Sequence, residues 1–352
     1  MGVKYATYSQ VINFKNYGAC SSRSRTIVIG VRKDLADFIS PFELFPDYQE
    51  EKTLRNVIGN LPALKNFGEI SNTDIYHAFR VYPEHMRSWI ADLKEGESAF
   101  DQSDIHKVPH KVVNGEIVVN IRKNGDKYRR QYWDKVGPCI HTRNDQLASQ
   151  NTIHPSDDRV FSIRELMLMM TIPNSFRWTN ISEQTLNSLS IEKKRAFLKK
   201  EEIKIRQCLG EAVPTAIFDS IADKIAFFFS KQHLVDAEVK KLIDTTDLSS
   251  LDSIIGYISA NFDTVGISSI SKVVEYANAK REHNAAFFTD KSILNEIMKY
   301  LPDINKDVIH ILEPSVGTGN FIPFVIKKYA SAKSIITVSY THLRAHETLR
   351  HL

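Results

Sequence analysis

The segment that most restricts the fold runs from residue 308 to residue 330 and reads VIHILEPSVGTGNFIPFVIKKYA. A β-branched apolar run leads into a turn containing Gly317 and Gly319, and an apolar helical pattern follows. A glycine turn between a strand and a helix lets the backbone approach a ligand closely, and the helix N-terminus offers free amides. The pattern predicts an α/β protein containing the opening βα unit of a doubly wound sheet.

Other patterns along the chain predict further elements. The run TIVIGV suits a buried strand, and two arginines, Arg23 and Arg25, precede it. Residues 108–133 contain Asn114-Gly115 and Asn124-Gly125 between β-rich runs, which predicts a three-stranded meander with two tight turns. Apolar spacing predicts a helix over 160–170, and residues 190–206 read as a solvated helix. The stretch from Gly210 to Phe229 reads as an amphipathic helix.

Charge and cysteine content exclude several classes of protein. The formal net charge is only +4, so a nucleic-acid partner has to be argued from local clusters. Three widely separated cysteines offer neither a disulfide framework nor zinc-ligand spacing, and we expect no metal site. Neither a membrane span nor a signal peptide is visible. We expect a cytoplasmic bacterial protein without a membrane partner.

Three sequence blocks occur in a fixed order: SRSRTIVIGV, then RVFSIRELMLMMTIPNSF, then GEAVP, with a long insert between the first and the second. Together they resemble the last three blocks of the cytosine carbon-5 DNA methyltransferases. The resemblance implies that Arg25 and Arg23 contact a flipped cytosine as catalytic residues. Guanidinium groups suit that role, because nucleophilic addition to the ring builds negative charge. The alternative is a pair of surface arginines at the mouth of a strand.

The second and third blocks depart from the family pattern in places. Leu168 and Asn174 stand where arginine and aspartate are frequent, and Arg164 with Glu165 is interpreted as a structural ion pair. By resemblance, the third block contacts S-adenosylmethionine (AdoMet) through Gly210, Glu211, Ala212 and Val213. Glu211 replaces the usual asparagine, and an ordinary helix N-terminus is the alternative for this block.

The insert at residues 34–150 corresponds, by resemblance, to a target recognition domain that reads double-stranded DNA. Basic residues interleaved with aromatic ones near its end suit a phosphate-tracking surface. The predicted DNA contacts are Arg122, Lys123, Lys127, Arg129, Arg130 and Arg143. A solvated basic hairpin is the alternative.

The cysteines are poor candidates for the family's nucleophile, which lies in a proline, cysteine, glutamine motif. Cys139 follows a proline, but Ile140 comes next and the position lies after the SRSR block, so a buried structural cysteine is predicted. Cys20 has no paired base in view. We expect the nucleophile block to lie outside this chain, which would then be an inactive fragment on its own.

The glycine loop and the AAFFTD stretch upstream of it resemble the cofactor-binding blocks of the adenine amino-methyltransferases, in which an acidic residue suits the cationic cofactor. The implied AdoMet-binding residues are Phe288, Thr289, Glu313, Gly317, Gly319, Asn320 and Phe321. A dehydrogenase-like nucleotide loop, and with it a nucleotide-dependent oxidoreductase, is the alternative.

Such a tandem resembles the bifunctional methylases of type IIS restriction-modification systems. The expected organisation has six parts: the end of a cytosine methyltransferase catalytic domain (1–33), the recognition domain (34–150), a return to the catalytic domain (151–230), a helical connector (231–281), the start of an adenine methyltransferase domain (282–338), and a tail (339–352) that looks like translated sequencing-adaptor sequence. The expected fold class is α/β, with partial Rossmann-like elements and a mixed α+β recognition domain. A DNA-binding specificity subunit completed by a separate N-terminal catalytic half is the alternative function.

Overall fold

The computed structural model describes residues 4–120, 124–282, 289–313 and 317–339. The strands are β1 (Tyr5–Asn13), β2 (Ser24–Arg32), β3 (His110–Val113), β4 (Glu116–Val119), β5 (Val308–Glu313) and β6 (Ser334–Ser339). The helices are α1 (Leu54–Ile58), α2 (Arg87–Ile90), α3 (Ile163–Met169), α4 (Glu183–Asn187), α5 (Ile191–Glu211), α6 (Thr215–Phe229), α7 (Asp236–Thr245), α8 (Leu251–Asn261), α9 (Ile267–Glu282), α10 (Lys291–Tyr300) and α11 (Ile322–Lys328). The fold is mixed α/β, and none of these helices is long and apolar enough to cross a membrane.

The chain divides into two compact units. The first unit contains Met1–Val11, Thr26–Tyr48 and Phe218–Leu352, and the second unit contains Ile12–Arg25 and Gln49–Ile217.

The core of the second unit forms around α3, which contacts both α1 and α5. Leu166 and Met167 of α3 pack with Leu209 of α5 in one apolar cluster. Helix α3 begins sharply, because the Ser162 hydroxyl accepts from the backbone amide of Glu165 while the Glu165 carboxylate accepts from the amide of Ser162. A second apolar cluster includes Trp89 and Tyr128, and residues of the predicted recognition insert form most of it.

Two apolar clusters of the first unit bear on the sequence predictions. Helices α7, α8 and α9 enclose one of them, with Val239, Ile254 and Val273 buried. The other lies where β5 and β6 pair in parallel and α11 covers them through Val325 and Tyr329. The predicted strand before the glycine loop and the predicted helix after it are thus present, and the predicted connector is helical.

One of the two predicted hairpins is present. Asn114 (φ 52°) and Gly115 (φ 82°) both adopt left-handed backbone conformations in the turn between β3 and β4. The predicted third strand of the meander is wrong, because the described residues after Gly125 do not pair with β4. The residues that follow bridge instead to Ser98, Gln150 and Ile153.

Two burial predictions also need correction. Strand β2 was expected to be buried, but it forms a two-stranded sheet with β1, and Val28 is 62% exposed. Helix α5 was expected to be solvated, yet it buries Leu198, Ile205 and Leu209. The predicted site residues Arg122, Lys123 and Phe288 lie outside the described part of the chain, as does the predicted tail beyond Ser339.

Candidate functional site

The three sequence blocks meet in the second unit through backbone hydrogen bonds. The amide of Cys20, two residues before the first block, donates to the carbonyl of Met169 in the second block at 3.0 Å. The amide of Thr215, just after the third block, donates to Met170 at 3.3 Å. Segments separated by about 150 residues along the chain are therefore neighbours here.

The residues just before Arg23 also hold the segment at 137–140. The Ser22 amide donates to the Gly137 carbonyl at 2.9 Å, and the Ser21 hydroxyl donates to the Pro138 carbonyl at 3.0 Å. This segment lies at the end of the predicted recognition insert. The insert is thereby tied directly to the first block.

Arg23 and Arg25 occupy different environments. Arg23 is only 7% exposed, and its Nη1 donates to the carbonyl of Gly210 at 2.6 Å and to that of Ile140 at 3.5 Å. Burial lowers the pKa of Arg23, and the neighbouring charge of Arg25 lowers it further. Arg25 is exposed, and its Nη1 donates to the carbonyl of Ser24 at 2.8 Å. Arg23 therefore joins the blocks, and Arg25 is the member of the pair that is open to solvent.

Gly210 lies where α5 touches the 141–142 backbone. A Cβ atom at this position would lie 2.4 Å from the Thr142 amide nitrogen and 2.5 Å from the His141 carbonyl carbon. Gly210 and Glu211 belong to the last turn of α5, and α6 begins at Thr215, so the predicted helix entry at Gly210 is wrong. The Glu211 carboxylate accepts from Gln207, and Ala212 and Val213 are half-buried between the two helices.

A buried ionic network supports the start of α3. Arg159 is 1% exposed and donates to both carboxylate oxygens of Glu165, at 2.7 and 2.8 Å, and to Asp157 at 2.7 Å. Burial on its own raises the pKa of Glu165, but the charges of Arg159 and His154 outweigh it and hold that pKa well below its usual range. Burial lowers the pKa of His154 to about 4.

Arg164 does not pair with Glu165, so the predicted ion pair is wrong. Its guanidinium donates to Asp74 at 2.5 Å, to Glu183 at 2.6 Å and to the side-chain oxygen of Asn174 at 2.8 Å. Successive residues of one helical turn point in different directions, and these two charges therefore stabilise separate parts of the unit.

A further network around Arg206 was missed by sequence reasoning. Its guanidinium donates to Glu202 at 2.8 Å and to the side-chain oxygen of Asn144 at 3.1 Å, and burial lowers its pKa. Arg80 donates to the same Glu202 at 2.6 Å. Glu202 and Arg206 lie on the face of α5 that carries Leu198 and Leu209. Their spacing of four residues on this apolar face was the sequence signal that could have predicted a buried ion pair.

The predicted DNA-contacting residues differ in accessibility. Lys127 is half-buried and Arg143 is exposed, with its Nε 3.1 Å from Asp145. Arg129 is half-buried and donates to the carbonyls of Gly125 and Gly96. Arg130 is only 3% exposed and donates to the Ile90 carbonyl and the Asp158 carboxylate, so the predicted phosphate contact of Arg130 is wrong.

The environment of Cys20 disfavours a reactive thiolate. Cys20 is buried, its Sγ donates to the Lys52 carbonyl at 3.2 Å, and burial raises the pKa of its thiol to about 11. A thiol with a raised pKa is a weak nucleophile. Cys139 is half-buried rather than buried as predicted.

The described part of the glycine loop in the first unit begins at Gly317. Gly317 (φ 51°) and Gly319 (φ 80°) both take left-handed conformations between β5 and α11. Glu313 ends β5, and Asn320 and Phe321 lead into α11, all three half-buried. The buried Thr318 hydroxyl has no hydrogen-bond partner among the described residues. An unsatisfied polar atom beside two glycines fits a small polar ligand.

Comparison with known proteins places residues 1–226 in the family described as C-5 cytosine-specific DNA methylase. The chain is similar to the type II methyltransferase M1.HgaI of Avibacterium volantium, with 28% identity over 64% of this chain and 56% of that protein. It is also similar to the type II methylase M.HgiDII of Herpetosiphon aurantiacus, with 26% identity over 65% of this chain and 58% of that protein. The chain thus spans a little over half the length of these curated relatives.

Among solved structures, one similar chain is a DNA modification methyltransferase encoded within a prophage of E. coli. The match covers 66% of this chain and 63% of that one, at 15% identity and a TM-score of 0.41.

Proposed function

This chain belongs to the C-5 cytosine-specific DNA methylase family, and from that premise we propose that it supplies the DNA-reading side of an AdoMet-dependent, base-flipping cytosine methyltransferase of a restriction-modification system. Arg25 contacts the flipped cytosine, while Arg23 holds the blocks that surround it. The covalent cysteine step is assigned to none of this chain's three cysteines.

The observation that carries this proposal is the hydrogen bond from Arg23 to the Gly210 carbonyl. It joins the first and third blocks, which lie 187 residues apart, and it runs through a buried guanidinium. Burying a charged donor costs free energy, so a buried guanidinium between two blocks supports a built site rather than two chance resemblances.

AdoMet supplies the methyl group when it is bound. In the second unit, Ala212 and Val213 extend the proposed cofactor contact beyond Gly210 and Glu211. The Gly210 carbonyl already accepts a hydrogen bond from Arg23, so its role is structural. The exposed Glu211 side chain is therefore the more accessible of the two groups for the cofactor.

The partner is double-stranded DNA. Lys127, Arg129 and Arg143 contact its phosphates, and the base-reading side chains lie in the 34–150 insert. A surface of this kind works mainly by releasing counterions, so affinity falls steeply as the salt concentration rises.

The decisive experiment is fluorescence anisotropy of labelled duplex DNA with the purified 352-residue chain at several salt concentrations. For the double variant Lys127→Gln/Arg143→Gln we expect weaker DNA binding at every salt concentration. The slope of log affinity against log salt concentration should be smaller by about 1 for each cation lost. Lys199→Gln, which removes an exposed lysine of α5, is the matched control and should bind like the parent. Equal affinities and slopes for all three proteins would refute the proposal.

For the first unit we propose a second AdoMet site, the start of an adenine methyltransferase domain. The parallel pairing of β5 with β6 around α11 and the left-handed Gly317 and Gly319 support it. Glu313, Thr289 and, from the sequence resemblance, Phe288 complete the proposed set with Asn320 and Phe321.

Calorimetric titration with AdoMet and, separately, with NAD tests this second site. We expect AdoMet binding that Gly319→Val weakens at least about tenfold, because a β-branched side chain is strained at φ 80°. Gly256→Val, in open space on α8, is the control. NAD binding with no AdoMet binding would favour the nucleotide-dependent oxidoreductase instead.

A further inference from the structure

The first unit contains a cavity of about 680 Å³ that the sequence patterns did not predict. It lies among residues 38–47 and helices α6, α9, α10 and α11. A volume of this size is typical of the sites that bind small molecules in proteins. In the described part of the chain, the residues that line it include none of the proposed AdoMet-binding set, so the cavity is distinct from the glycine loop.

Phenylalanine rings form much of the cavity wall. Phe42 and Phe324 are buried and stack on each other, with their ring centroids 5.9 Å apart. Phe228 is also buried and stacks on the His233 ring at 4.1 Å, whereas Phe227 is 61% exposed. Aromatic side chains pair with planar aromatic groups in offset-stacked or edge-to-face arrangements. This wall therefore favours a planar aromatic ligand over an aliphatic one.

The charged residues that line the cavity give it a surplus of positive charge. There are four lysines, Lys224, Lys231, Lys291 and Lys327, against three acids, Glu43, Asp47 and Asp223. Gly266, Ile267 and Ser268 also line the cavity, at the point where the 16-residue helix α9 begins. The start of a helix adds partial positive charge and free amides to that of the lysines.

The lysines are not all met by carboxylates. Lys224 and Lys327 share one carboxylate, that of Asp47, at 2.7 and 3.2 Å. Burial and, after it, the charge of Lys224 lower the pKa of Lys327 to about 8. The Lys231 ammonium donates to the backbone carbonyl of Asp263 at 2.6 Å, and no carboxylate of the described residues lies within 4 Å of it. A bound anion would relieve the repulsion between these cations.

We propose that this cavity binds a planar aromatic ligand that carries an anionic group, with its ring against the phenylalanines and its anion at Lys224 and Lys231. Aromatic carboxylates and nucleoside monophosphates share this chemistry, and the experiment distinguishes them. The proposal goes beyond the proposed function, because it uses neither the DNA-contacting residues nor the proposed AdoMet sites.

The test is calorimetric titration of the 352-residue chain with naphthoate and with guanosine monophosphate. Two further probes separate the contributions of ring and charge: naphthalenemethanol is aromatic but neutral, and cyclohexanecarboxylate is anionic but not aromatic. We expect an aromatic anion to bind, and naphthalenemethanol to bind at least about tenfold more weakly, because it lacks the charge-assisted hydrogen bond. Cyclohexanecarboxylate should also bind more weakly than naphthoate, because it cannot stack.

Lys224→Gln tests the anion contact. It should weaken binding of the aromatic anion about tenfold, and the fold should persist because Lys327 still pairs with Asp47. Lys280→Gln is the matched control, since Lys280 is an exposed lysine of α9 that pairs with Asp244 away from the cavity. This control should bind like the parent.

Phe227→Leu tests the ring contact, and its exposed position means that its loss leaves the fold intact. We expect it to weaken the binding of naphthoate and to leave that of cyclohexanecarboxylate unchanged. Phe262→Leu removes an exposed phenylalanine of the same unit that does not line the cavity, and it should bind naphthoate like the parent.

Binding of naphthoate alone identifies an aromatic carboxylate as the ligand class, and binding of guanosine monophosphate alone identifies a nucleotide. The proposal is overturned if neither binds, if naphthalenemethanol binds as tightly as naphthoate, or if Lys224→Gln has the affinity of the parent. Nucleotide binding that Gly319→Val abolishes and Lys224→Gln spares belongs to the glycine loop and also overturns it. The proposed function fails separately, through the DNA-binding measurements on Lys127 and Arg143.

Discussion

At the scale of single residues, the second unit depends on charged side chains that are largely removed from water. Arg159 with Glu165, and Arg206 with Glu202, are buried ion pairs close to the blocks that define the family match. Such pairs contribute little net stability against apolar replacements, but losing one member leaves the other charge buried and unpaired. Their loss is therefore expected to be costly.

Arg159→Met should lower the free energy of unfolding by about 3 to 5 kcal/mol, because Glu165 would remain buried without its main partner. Urea denaturation measures this. Arg55→Met, which breaks an exposed pair with Asp134, should change stability little. If both variants lose equal stability, the buried network does not have the role assigned to it.

Acidification should weaken the same network. His154 has a folded-state pKa of about 4 against an ordinary value of 6.5, so it stays neutral in the fold and takes up a proton on unfolding. Stability linked to His154 is therefore complete above pH 6.5 and is lost as the pH falls towards 4. Glu165, whose pKa is also lowered, adds a loss below pH 4.5.

Unfolding free energies measured by urea between pH 7 and pH 4 test this expectation. His154→Gln cannot titrate, so its stability should vary less across that window than the parent's does. A parallel decline in both proteins would show that other groups control the acid sensitivity.

At the scale of elements, α5 connects the family blocks, because its buried face contains both apolar and charged residues. Gly210 allows its last turn to touch the 141–142 backbone. The elements with local signals were predictable: α3 from its apolar spacing, and the β3–β4 turn from Asn114-Gly115. Partners far along the chain were not, and for that reason Arg164 was paired with the wrong acid.

Gly210→Ala should destabilise the protein by about 1 to 3 kcal/mol, since the added Cβ meets backbone that must shift. Gly256→Ala lies in the interior of α8 with nothing within 4 Å of the new atom, and should instead stabilise by about 0.5 to 1 kcal/mol. Thermal or urea unfolding distinguishes the two. A gain in stability for both variants would mean that α5 does not pack closely against the 141–142 backbone.

At the scale of the whole molecule, the functional prediction depended mainly on the order of the three sequence blocks along the chain. Three weak blocks in sequence indicated the family, and the family match over residues 1–226 confirms it. Burial was the harder part. The run TIVIGV has apolar residues on both faces, but whether neighbouring strands cover Val28 depends on other segments and not on the run itself. Arg130 was misassigned for the same reason, because charge alone does not separate a surface arginine from one that anchors a core.

Hydrogen–deuterium exchange of the 352-residue chain, with and without saturating duplex DNA, tests most directly whether the second unit is the DNA-reading side of a cytosine methylase. Protection should concentrate in peptides containing Arg25, Lys127 to Arg129, and Arg143, and peptides from α8 should exchange at the same rate in both states. Protection confined to the first unit, or no change in the second unit at saturation, would contradict the proposed role.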